Sequence, residues 1–218
     1  MSRTLSEADS KALLARHGVP FAPELLVGDP SAAARAATEV GLPVAVKLCG
    51  EHIAHKTERG LVRLGLADPD AVAAATAELL AAARPEDEAT GVLVAPMVSG
   101  ARELIAGIAV DEQFGPTVLL GIGGVLAEAL ADVAVRLVPL TPVDAHEMIE
   151  QLATQDLLGE FRGEPPVDRD AVVEVLMALS DVAQNEPGVV SVDLNPLIVD
   201  RGRPVAVDAL VELEVVPA

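Results

Sequence analysis

The chain has 218 residues, with 34 acidic and 15 basic side chains and a formal net charge of −19. A chain this acidic repels phosphate backbones and anionic lipid, which argues against nucleic-acid binding and membrane-surface binding. Apolar residues make up 51% of the sequence, so a hydrophobic core is expected and disorder is excluded.

Helical and extended patterns alternate along the chain, and Gly, Pro or polar capping residues separate them. In chain order the sequence predicts a helix at 6–18, a strand at 24–27, a helix at 31–40, strands at 44–48 and 61–66, a helix at 68–83, strands at 91–98, 103–110, 117–120 and 133–139, helices at 143–152 and 168–185, and strands at 189–194 and 204–207. Because some strands also follow one another directly, this order indicates an α/β or α+β fold rather than a purely parallel sheet.

Composition also bears on where the protein works. Cys49 is the only cysteine, which excludes an intrachain disulfide and a zinc site built on several thiolates. The N-terminal residues lack the apolar core of a secretion signal, and glycines and a proline interrupt the most apolar stretch, 114–127. We therefore expect a cytoplasmic protein without a membrane-spanning helix.

A lysine stands at the end of an apolar strand, at Lys47 in the segment 44–48. Its neighbours Val44 and Val46 favour burial. The ammonium group therefore either points into a cleft, where it can bind phosphate, or extends along the sheet edge to solvent. The sequence leaves both interpretations open.

A polar segment with His52, His55, Lys56 and Thr57 follows this strand. A neutral imidazole attacks phosphorus readily and a neighbouring cation can hold the phosphate, so His55 is a candidate nucleophile or phosphoryl acceptor. The alternative is an exposed polar loop. Zinc is not expected, because no third ligand type follows the two histidines.

Glycines cluster after a strand, in the motif GIGG at 121–124. Such glycines let backbone N–H groups approach an anion. The spacing matches neither the dinucleotide-binding fingerprint nor the phosphate loop, so a tight turn is the simpler interpretation. Glu103 begins another apolar strand and is either a carboxylate in a cleft or an edge charge.

Oxygen-bearing side chains near the C-terminus have a spacing that suits a metal ion. Asp193 and Asn195 share one face of a predicted strand, and a hairpin would bring Asp208 beside Asn195. Carboxylate and amide oxygens suit Mg²⁺ that is bridged to nucleotide phosphates. The alternative is a capped turn, for which Asn-Pro is a common sequence.

The order of these motifs is more specific than any one of them. The motifs are LPVAVK at 42–47, HKT at 55–57, GVLVAPM at 91–97, RELIAG at 102–107, DEQFGP at 111–116, GIGG at 121–124, RLVPL at 136–140 and DLNP at 193–196. In this order they resemble the ATP-grasp β subunit, or β domain, of the ADP-forming acyl-CoA synthetases, which are relatives of succinyl-CoA synthetase. The resemblance covers about residues 5–213.

The resemblance implies an ATP-grasp fold, in which two α+β subdomains enclose a cleft for ATP or ADP and Mg²⁺. It implies a single ATP-grasp domain over 1–218, with approximate subdomains at 22–95 and at 1–21 plus 96–218. The resemblance also implies the roles of individual residues. Lys47, Gly123 and Gly124 would lie near the nucleotide phosphates, and the backbone of Val94, Ala95 and Met97 would lie at the adenine edge. Glu103 would face the nucleotide in a catalytic and binding role, and His55 would relay the phosphoryl group. The magnesium ligands would be Asn195, Asp208 and Asp193.

The sequence departs from the family in one respect. The family reaction, acid + CoA + ATP = acyl-CoA + ADP + phosphate, needs a CoA-binding domain with its own phosphorylated histidine, and no such domain is found in the 218 residues. We therefore expect a hetero-oligomer with a separate CoA-binding α subunit. The alternatives are a free-standing ATP-grasp carboxylate ligase, which would not need His55, and a non-catalytic nucleotide-sensing subunit.

Overall fold

The computed structural model describes residues 2–51, 53, 56–124 and 131–214, which form two compact units. The small unit comprises Leu5–Asp9 and Ala22–Met97, and the large unit comprises Met1–Thr4, Ser10–Phe21 and Val98–Ala218. Helix α1 (Glu7–Arg16) begins in the small unit and continues in the large one. In this part of the chain, no helix combines the length and the apolarity that crossing a membrane requires.

The small unit contains a four-stranded antiparallel sheet. Its strands lie in the order β2 (Leu25–Val27), β5 (Ala89–Pro96), β3 (Val44–Gly50) and β4 (Val62–Leu66). Two helices, α2 (Pro30–Val40) and α3 (Pro69–Ala82), begin with proline after an aspartate. The aspartates, Asp29 and Asp68, accept backbone hydrogen bonds from the first turn and so fix where each helix starts.

The core of the small unit lies between its sheet and its helices. Val46 and Leu48 of β3 belong to this core together with small helix residues such as Ala33. Every residue of β3 is buried, and side chains alternate between the two faces of a strand, so Lys47 is buried on the opposite face. Burial on both faces explains the nearly continuous apolar run in this strand.

The large unit contains a seven-stranded antiparallel sheet. Its strands lie in the order β1 (Ser2–Thr4), β11 (Leu210–Glu214), β9 (Val189–Asp200), β6 (Glu103–Asp111), β7 (Gly115–Ile122) and β8 (Val133–Leu137), and β10 (Arg203–Ala206) pairs with β9. Helices α4 (Pro142–Gln151) and α5 (Arg169–Asn185) pack against this sheet. Helix α5 buries an apolar stripe at intervals of three and four residues, as an amphipathic helix on a core does: Val172, Val175, Leu176, Leu179 and Val182.

The mixed helix and strand content matches the fold class predicted from the sequence, and the differences lie in the large sheet. The strands β1 and β11 are absent from the predicted set. The strand predicted at 189–194 does not end before Asn195 and Pro196 but continues to Asp200. Proline lacks the N–H that a strand ladder uses, and a shift in the β6–β9 pairing register at this point accommodates it.

Candidate functional site

The predicted site residues divide between the two units. Lys47, Val94, Ala95 and Met97 belong to the small unit, and Glu103, Gly123, Gly124, Asp193, Asn195 and Asp208 belong to the large unit. His55 lies outside the described residues, so its role stays a prediction.

Lys47 lies in the interior of the small sheet rather than at its edge. Strand β3 is paired on both sides, and Lys47 is opposite Leu93 of β5 and Val62 of β4. Its side chain is 10% exposed, and its Nζ donates a hydrogen bond to Oε1 of Glu7 at 2.8 Å. The interpretation as a lysine at the sheet edge is therefore wrong, whereas phosphate binding by Lys47 stays a prediction.

Glu7 connects Lys47 to the segment that contains His55. The side chain of Glu7 is wholly buried, and its second oxygen, Oε2, accepts a hydrogen bond from Nζ of Lys56. Lys56 directly follows His55 in sequence and is itself buried. Its backbone carbonyl accepts a hydrogen bond from the N–H of Leu61 at 2.8 Å. The residue next to His55 is therefore anchored inside the small unit.

A second ion pair holds this segment further along the chain. Arg59 donates from Nη1 and Nη2 to the two carboxylate oxygens of Asp87, at 2.7 and 2.8 Å. Asp87 is buried and also accepts the backbone N–H of Arg84 at 2.9 Å. The hydrogen bonds from Arg59 are the main reason that the pKa of Asp87 is lowered to about 2. Two buried carboxylates, Glu7 and Asp87, thus hold the segment 56–59.

The segment predicted to read adenine forms the end of β5. Val94 is wholly buried and paired with strands on both sides. Pairing with β2 ends at Val94, so Ala95 pairs with β3 alone among the described strands. The N–H of Met97 donates to the carbonyl of Pro43 at 3.0 Å. An adenine ring held here would therefore have to use groups other than the Met97 N–H.

In the large unit, Glu103 and two glycines meet at one end of the sheet. Glu103 begins β6, and its carbonyl oxygen accepts a hydrogen bond from the N–H of Gly123 at 2.7 Å. A Cβ atom on Gly123 would lie 3.1 Å from the carbonyl carbon and the Cβ of Glu103, so a larger residue would displace its neighbour. Gly124 has a φ of 84°, which favours glycine. These contacts account for both glycines without a bound anion.

A cavity of about 400 Å³ opens beside these residues. Glu103 and the two glycines line it together with apolar side chains such as Leu104 and Leu158, and Arg162 adds a positive charge. The guanidinium of Arg162 lies 5.2 Å from the centroid of the Phe161 ring. Three predicted site residues therefore line one cavity, next to a cation to which the sequence assigns no role.

Arg102 holds the loop that forms one wall of this cavity. It is 4% exposed, and its guanidinium donates to the carbonyl oxygens of Leu157, Gly159 and Pro165 at 3.3, 2.9 and 2.6 Å. It also donates to Oε2 of Glu164 at 3.3 Å. Because arginine carries five N–H donors in a rigid plane, one side chain can satisfy this whole set of acceptors. Arg102 thereby ties the loop 157–165 to the start of β6.

The predicted metal ligands come together along β9, where Asp193 and Asn195 lie. After the β9–β10 hairpin, the N–H of Val207 donates to the carbonyl of Pro196 at 3.2 Å, which returns Asp208 to the side of β9. Burial raises the pKa of Asp193, and the negative charge of Asp208 raises it further. The hairpin forms as expected, and the charge of Asp208 acts on Asp193, whereas the position of Asp208 beside Asn195 stays a prediction.

This set of side chains fits a magnesium ion. Two neighbouring carboxylates repel each other in the absence of a cation, and Asn195, two residues after Asp193 on β9, could add a neutral amide oxygen. In the described part of the chain, no group of three or more His, Cys, Asp or Glu side chains could hold a metal ion. Mg²⁺ commonly binds through one or two carboxylates and completes its shell with substrate phosphates, so two carboxylates are enough for it. The role of these residues as magnesium ligands stays a prediction.

The sequence assigns no role to Glu7 of the small unit, and Arg102 of the large unit enters only as the first residue of the RELIAG motif. Glu7 looks like an ordinary acid in a first helical turn, where the helix dipole favours negative charge. It pairs with Lys47 across 40 residues, and Arg102 reaches partners 55 to 63 residues away. Local sequence patterns predict on which face of a helix or strand a side chain lies, but they do not predict which distant residue it contacts.

Comparison with known protein families identifies the family of this chain. The family model that describes the ATP-grasp domain matches residues 1–213. This chain belongs to the ATP-grasp family. The match spans residues of both units, and it confirms the family and the fold that the order of motifs predicts.

The relatives include both separate subunits and longer single chains. The β subunit of the ADP-forming acetate–CoA ligase II of Pyrococcus furiosus is 36% identical over 199 residues, which are 89% of this chain and 84% of that subunit. The ADP-forming acetate–CoA ligase II of Archaeoglobus fulgidus is 38% identical over 203 residues, which are 93% of this chain but 29% of that protein. This ATP-grasp chain thus matches most of a separate β subunit and less than a third of a longer ligase chain.

A solved structure is similar over nearly the whole chain. Acetyl-coenzyme A synthetase 1 of Ca. Korarchaeum cryptofilum, in complex with coenzyme A and Ca-AMPCP, has a TM-score of 0.91 at 32% identity, covering 97% of this chain and 94% of that one. Another structure of that enzyme contains coenzyme A and Mg-AMPPCP, with a phosphohistidine segment pointing towards the nucleotide binding site. It has a TM-score of 0.82 at 31% identity and covers 95% of this chain and 92% of that one.

Proposed function

We propose that this chain is the nucleotide-binding, phosphoryl-transferring β subunit of an ADP-forming acyl-CoA ligase. The observation that carries the proposal is the similarity to a separate β subunit, that of the ADP-forming acetate–CoA ligase II of P. furiosus, which is 36% identical over 84% of its own length. In this proposal CoA is bound and acylated by a separate α subunit.

The small unit would supply a cation and a nucleophile. Lys47 would neutralise phosphate oxygens of the nucleotide, and the end of β5 would hold the adenine edge. A nitrogen of the His55 imidazole would attack the γ-phosphorus while the bond to the bridging β-phosphate oxygen breaks, so that ADP leaves and the phosphoryl group stays on His55. The phosphoryl group would then pass to the α subunit.

The large unit would supply the ligands of the metal. Asp193, Asn195 and Asp208 would hold Mg²⁺, which would neutralise negative charge on the phosphate groups of the nucleotide. Glu103 would face the nucleotide from the wall of the cavity, beside Gly123 and Gly124. Phosphoryl transfer depends mainly on such positioning and charge neutralisation, so this set of residues needs no further covalent group.

The complex would work in the cytoplasm. Cys49 is the only cysteine of the chain and is buried, so the fold does not depend on an intrachain disulfide, which is usual for proteins of reducing compartments. Cell fractionation should recover the chain with cytoplasmic marker enzymes. Recovery in the membrane or secreted fraction would contradict this placement.

Activity with a partner subunit tests the proposal. The chain is co-expressed with a candidate CoA-binding α subunit, and ATP formation from acetyl-CoA, ADP and phosphate is measured for each subunit alone and for the complex. We expect activity from the complex only. His55→Ala should abolish ATP formation but keep the Kd for Mg-ADP within about threefold of wild type. His146→Ala, which changes an exposed histidine of α4, should have no effect on either quantity.

The alternatives give other results in the same experiment. Ligation of a carboxylate by the chain alone would indicate a free-standing ATP-grasp ligase. Binding of Mg-ADP without turnover in the presence of the α subunit would indicate a nucleotide-sensing subunit. A folded chain that binds no nucleotide in calorimetry would overturn all three functions.

A further inference from the structure

A cluster of three buried charges joins three parts of the small unit. Glu7 lies in the first turn of α1, Lys47 in the centre of the sheet, and Lys56 in the segment between β3 and β4. The Glu7 side chain is 0% exposed, and each of its two oxygens accepts a hydrogen bond from a different lysine. This one carboxylate therefore fixes the position of two ammonium groups relative to each other.

Neither helix capping nor stability accounts for the Glu7 carboxylate. The first turn of α1 is capped by Ser6, whose hydroxyl accepts the N–H of Asp9 at 3.1 Å. Burial of an ion pair costs solvation energy that the pairing does not reliably return, and apolar side chains of similar volume often stabilise a fold as well or better. The cluster is better explained by what it holds in place.

We propose that Glu7 is a positioning residue of the phosphoryl-transfer site. One of its oxygens holds the ammonium group of Lys47, and the other holds Lys56, the residue that follows His55. Glu7 thereby sets the position of the phosphate-binding cation relative to the segment that carries the nucleophile. This inference rests on the proposed function, which gives Lys47 and His55 these roles.

Nucleotide affinity and turnover of a Glu7 variant test this role. Glu7→Gln keeps the size and an acceptor oxygen but removes the negative charge. The Kd for Mg-ADP is measured by calorimetry, and ATP formation is measured with the α subunit at saturating Mg-ADP. We expect the Kd to increase about tenfold and ATP formation to fall at least about tenfold, because the carboxylate that holds both lysines is gone. An unchanged Kd together with an unchanged rate would overturn the proposal.

Asp87→Asn is the matched control. It breaks the other buried ion pair of the same segment, with Arg59, and leaves the contact between Glu7 and Lys47 in place. Its Kd for Mg-ADP should stay within about threefold of the wild-type value. A role of Glu7 in stability alone predicts that both variants weaken Mg-ADP binding equally when urea unfolding shows that they are equally destabilised. That result would overturn the proposal.

Lys56→Gln separates the two parts of the proposal and serves if Glu7→Gln does not fold. Glu7 then keeps Lys47, so the Kd for Mg-ADP should stay within about threefold of wild type. Turnover with the α subunit should fall at least about tenfold, because the segment that carries His55 loses its anchor. Equal losses of affinity and turnover would contradict the positioning role.

The two proposals fail in different ways. If the wild-type chain binds no Mg-ADP, the proposed function is wrong. If wild type binds Mg-ADP and forms ATP with the α subunit, but Glu7→Gln does both equally well, the role of Glu7 is wrong and the proposed function stands.

Discussion

Burial of Asp193 and the negative charge of Asp208 together raise the pKa of the Asp193 carboxyl group. In the absence of a cation, two neighbouring carboxylates repel each other. If the pair holds Mg²⁺, as we propose, the metal charge would offset this repulsion. Removal of one carboxylate should therefore stabilise the metal-free chain and weaken its response to the metal.

Asp193→Asn should stabilise the metal-free chain but reduce its response to Mg-ADP. Loss of the repulsion should raise the free energy of unfolding by up to about 1 kcal/mol, because the pair is partly exposed and screened by salt. Thermal unfolding with EDTA measures this gain, and thermal unfolding with Mg-ADP measures the shift that ligand binding adds. Asp200→Asn, on the same strand but outside the pair, should change neither. A lower Tm of Asp193→Asn in EDTA would contradict the prediction.

His17 should make the stability of the large unit depend on pH. Its Nδ1 lies 2.6 Å from Asp181 and its Nε2 lies 2.9 Å from Glu186, and these hydrogen bonds raise the pKa of His17. Because the pKa of His17 is higher in the folded chain than its ordinary value of 6.5, protonation of His17 stabilises the fold. This contribution is complete below pH 6.5 and is lost as the pH increases through the raised pKa. His17 in turn lowers the pKa values of Asp181 and Glu186, so their contribution is lost in acid.

The variant His17→Gln should therefore be less stable than wild type by about 1–2 kcal/mol near pH 6, and the difference should become smaller at pH 9. Urea unfolding at the two pH values measures it. The control is His146→Gln, because His146 is 46% exposed and lies 3.6 Å from an exposed Asp170. If the loss of stability in His17→Gln is the same at both pH values, the charged imidazolium does not stabilise the contact between the end of α1 and the end of α5.

Arg102→Met should destabilise the large unit by about 3 kcal/mol, because it leaves the carbonyl oxygens of the loop 157–165 without their donor. Arg102→Lys should recover part of this loss, since an ammonium group has three donors instead of the planar set of five. Urea unfolding of both variants gives the comparison. Equal stability of the Lys and Met variants would mean that the hydrogen bonds to the loop contribute little.

Gly123→Ala should weaken nucleotide binding more than it weakens the fold. The new Cβ would meet the backbone of Glu103 at 3.1 Å and move this residue at the wall of the cavity. We expect the Kd for Mg-ADP to increase about tenfold, which corresponds to about 1.4 kcal/mol. Calorimetry measures the Kd, and urea unfolding measures the stability.

Gly115→Ala is the control for the glycine substitution. Gly115 lies at the opposite end of β7 and has a φ of 86°, and no atom of the structure lies within 4 Å of the position that a Cβ would take. Alanine there should cost about 1–2 kcal/mol of stability through backbone strain and leave nucleotide affinity unchanged. If Gly115→Ala weakens Mg-ADP binding as much as Gly123→Ala does, the effect is not specific to the contact with Glu103.

Local sequence patterns determined most of the elements and part of the site. Asp29 and Asp68, each followed by proline, mark the starts of α2 and α3, because helix caps depend on a few neighbouring residues. The two-residue spacing of Asp193 and Asn195 predicts a shared strand face, and the turn at 200–202 predicts the hairpin that returns Asp208 to β9. The continuation of β9 through Pro196 was not predictable from a local pattern, because it depends on the pairing register with the neighbouring strand β6.

Only the tertiary structure decided the partners of the buried charges. The sequence places Lys47 in an apolar strand but does not indicate that it meets Glu7, which lies 40 residues earlier. Nor does it indicate that Arg102 holds a loop that begins 55 residues later. A buried charge must find an opposite charge or hydrogen-bond acceptors, and that requirement is visible in the sequence. Which residue meets it depends on how distant segments pack, and a local pattern carries no information about this.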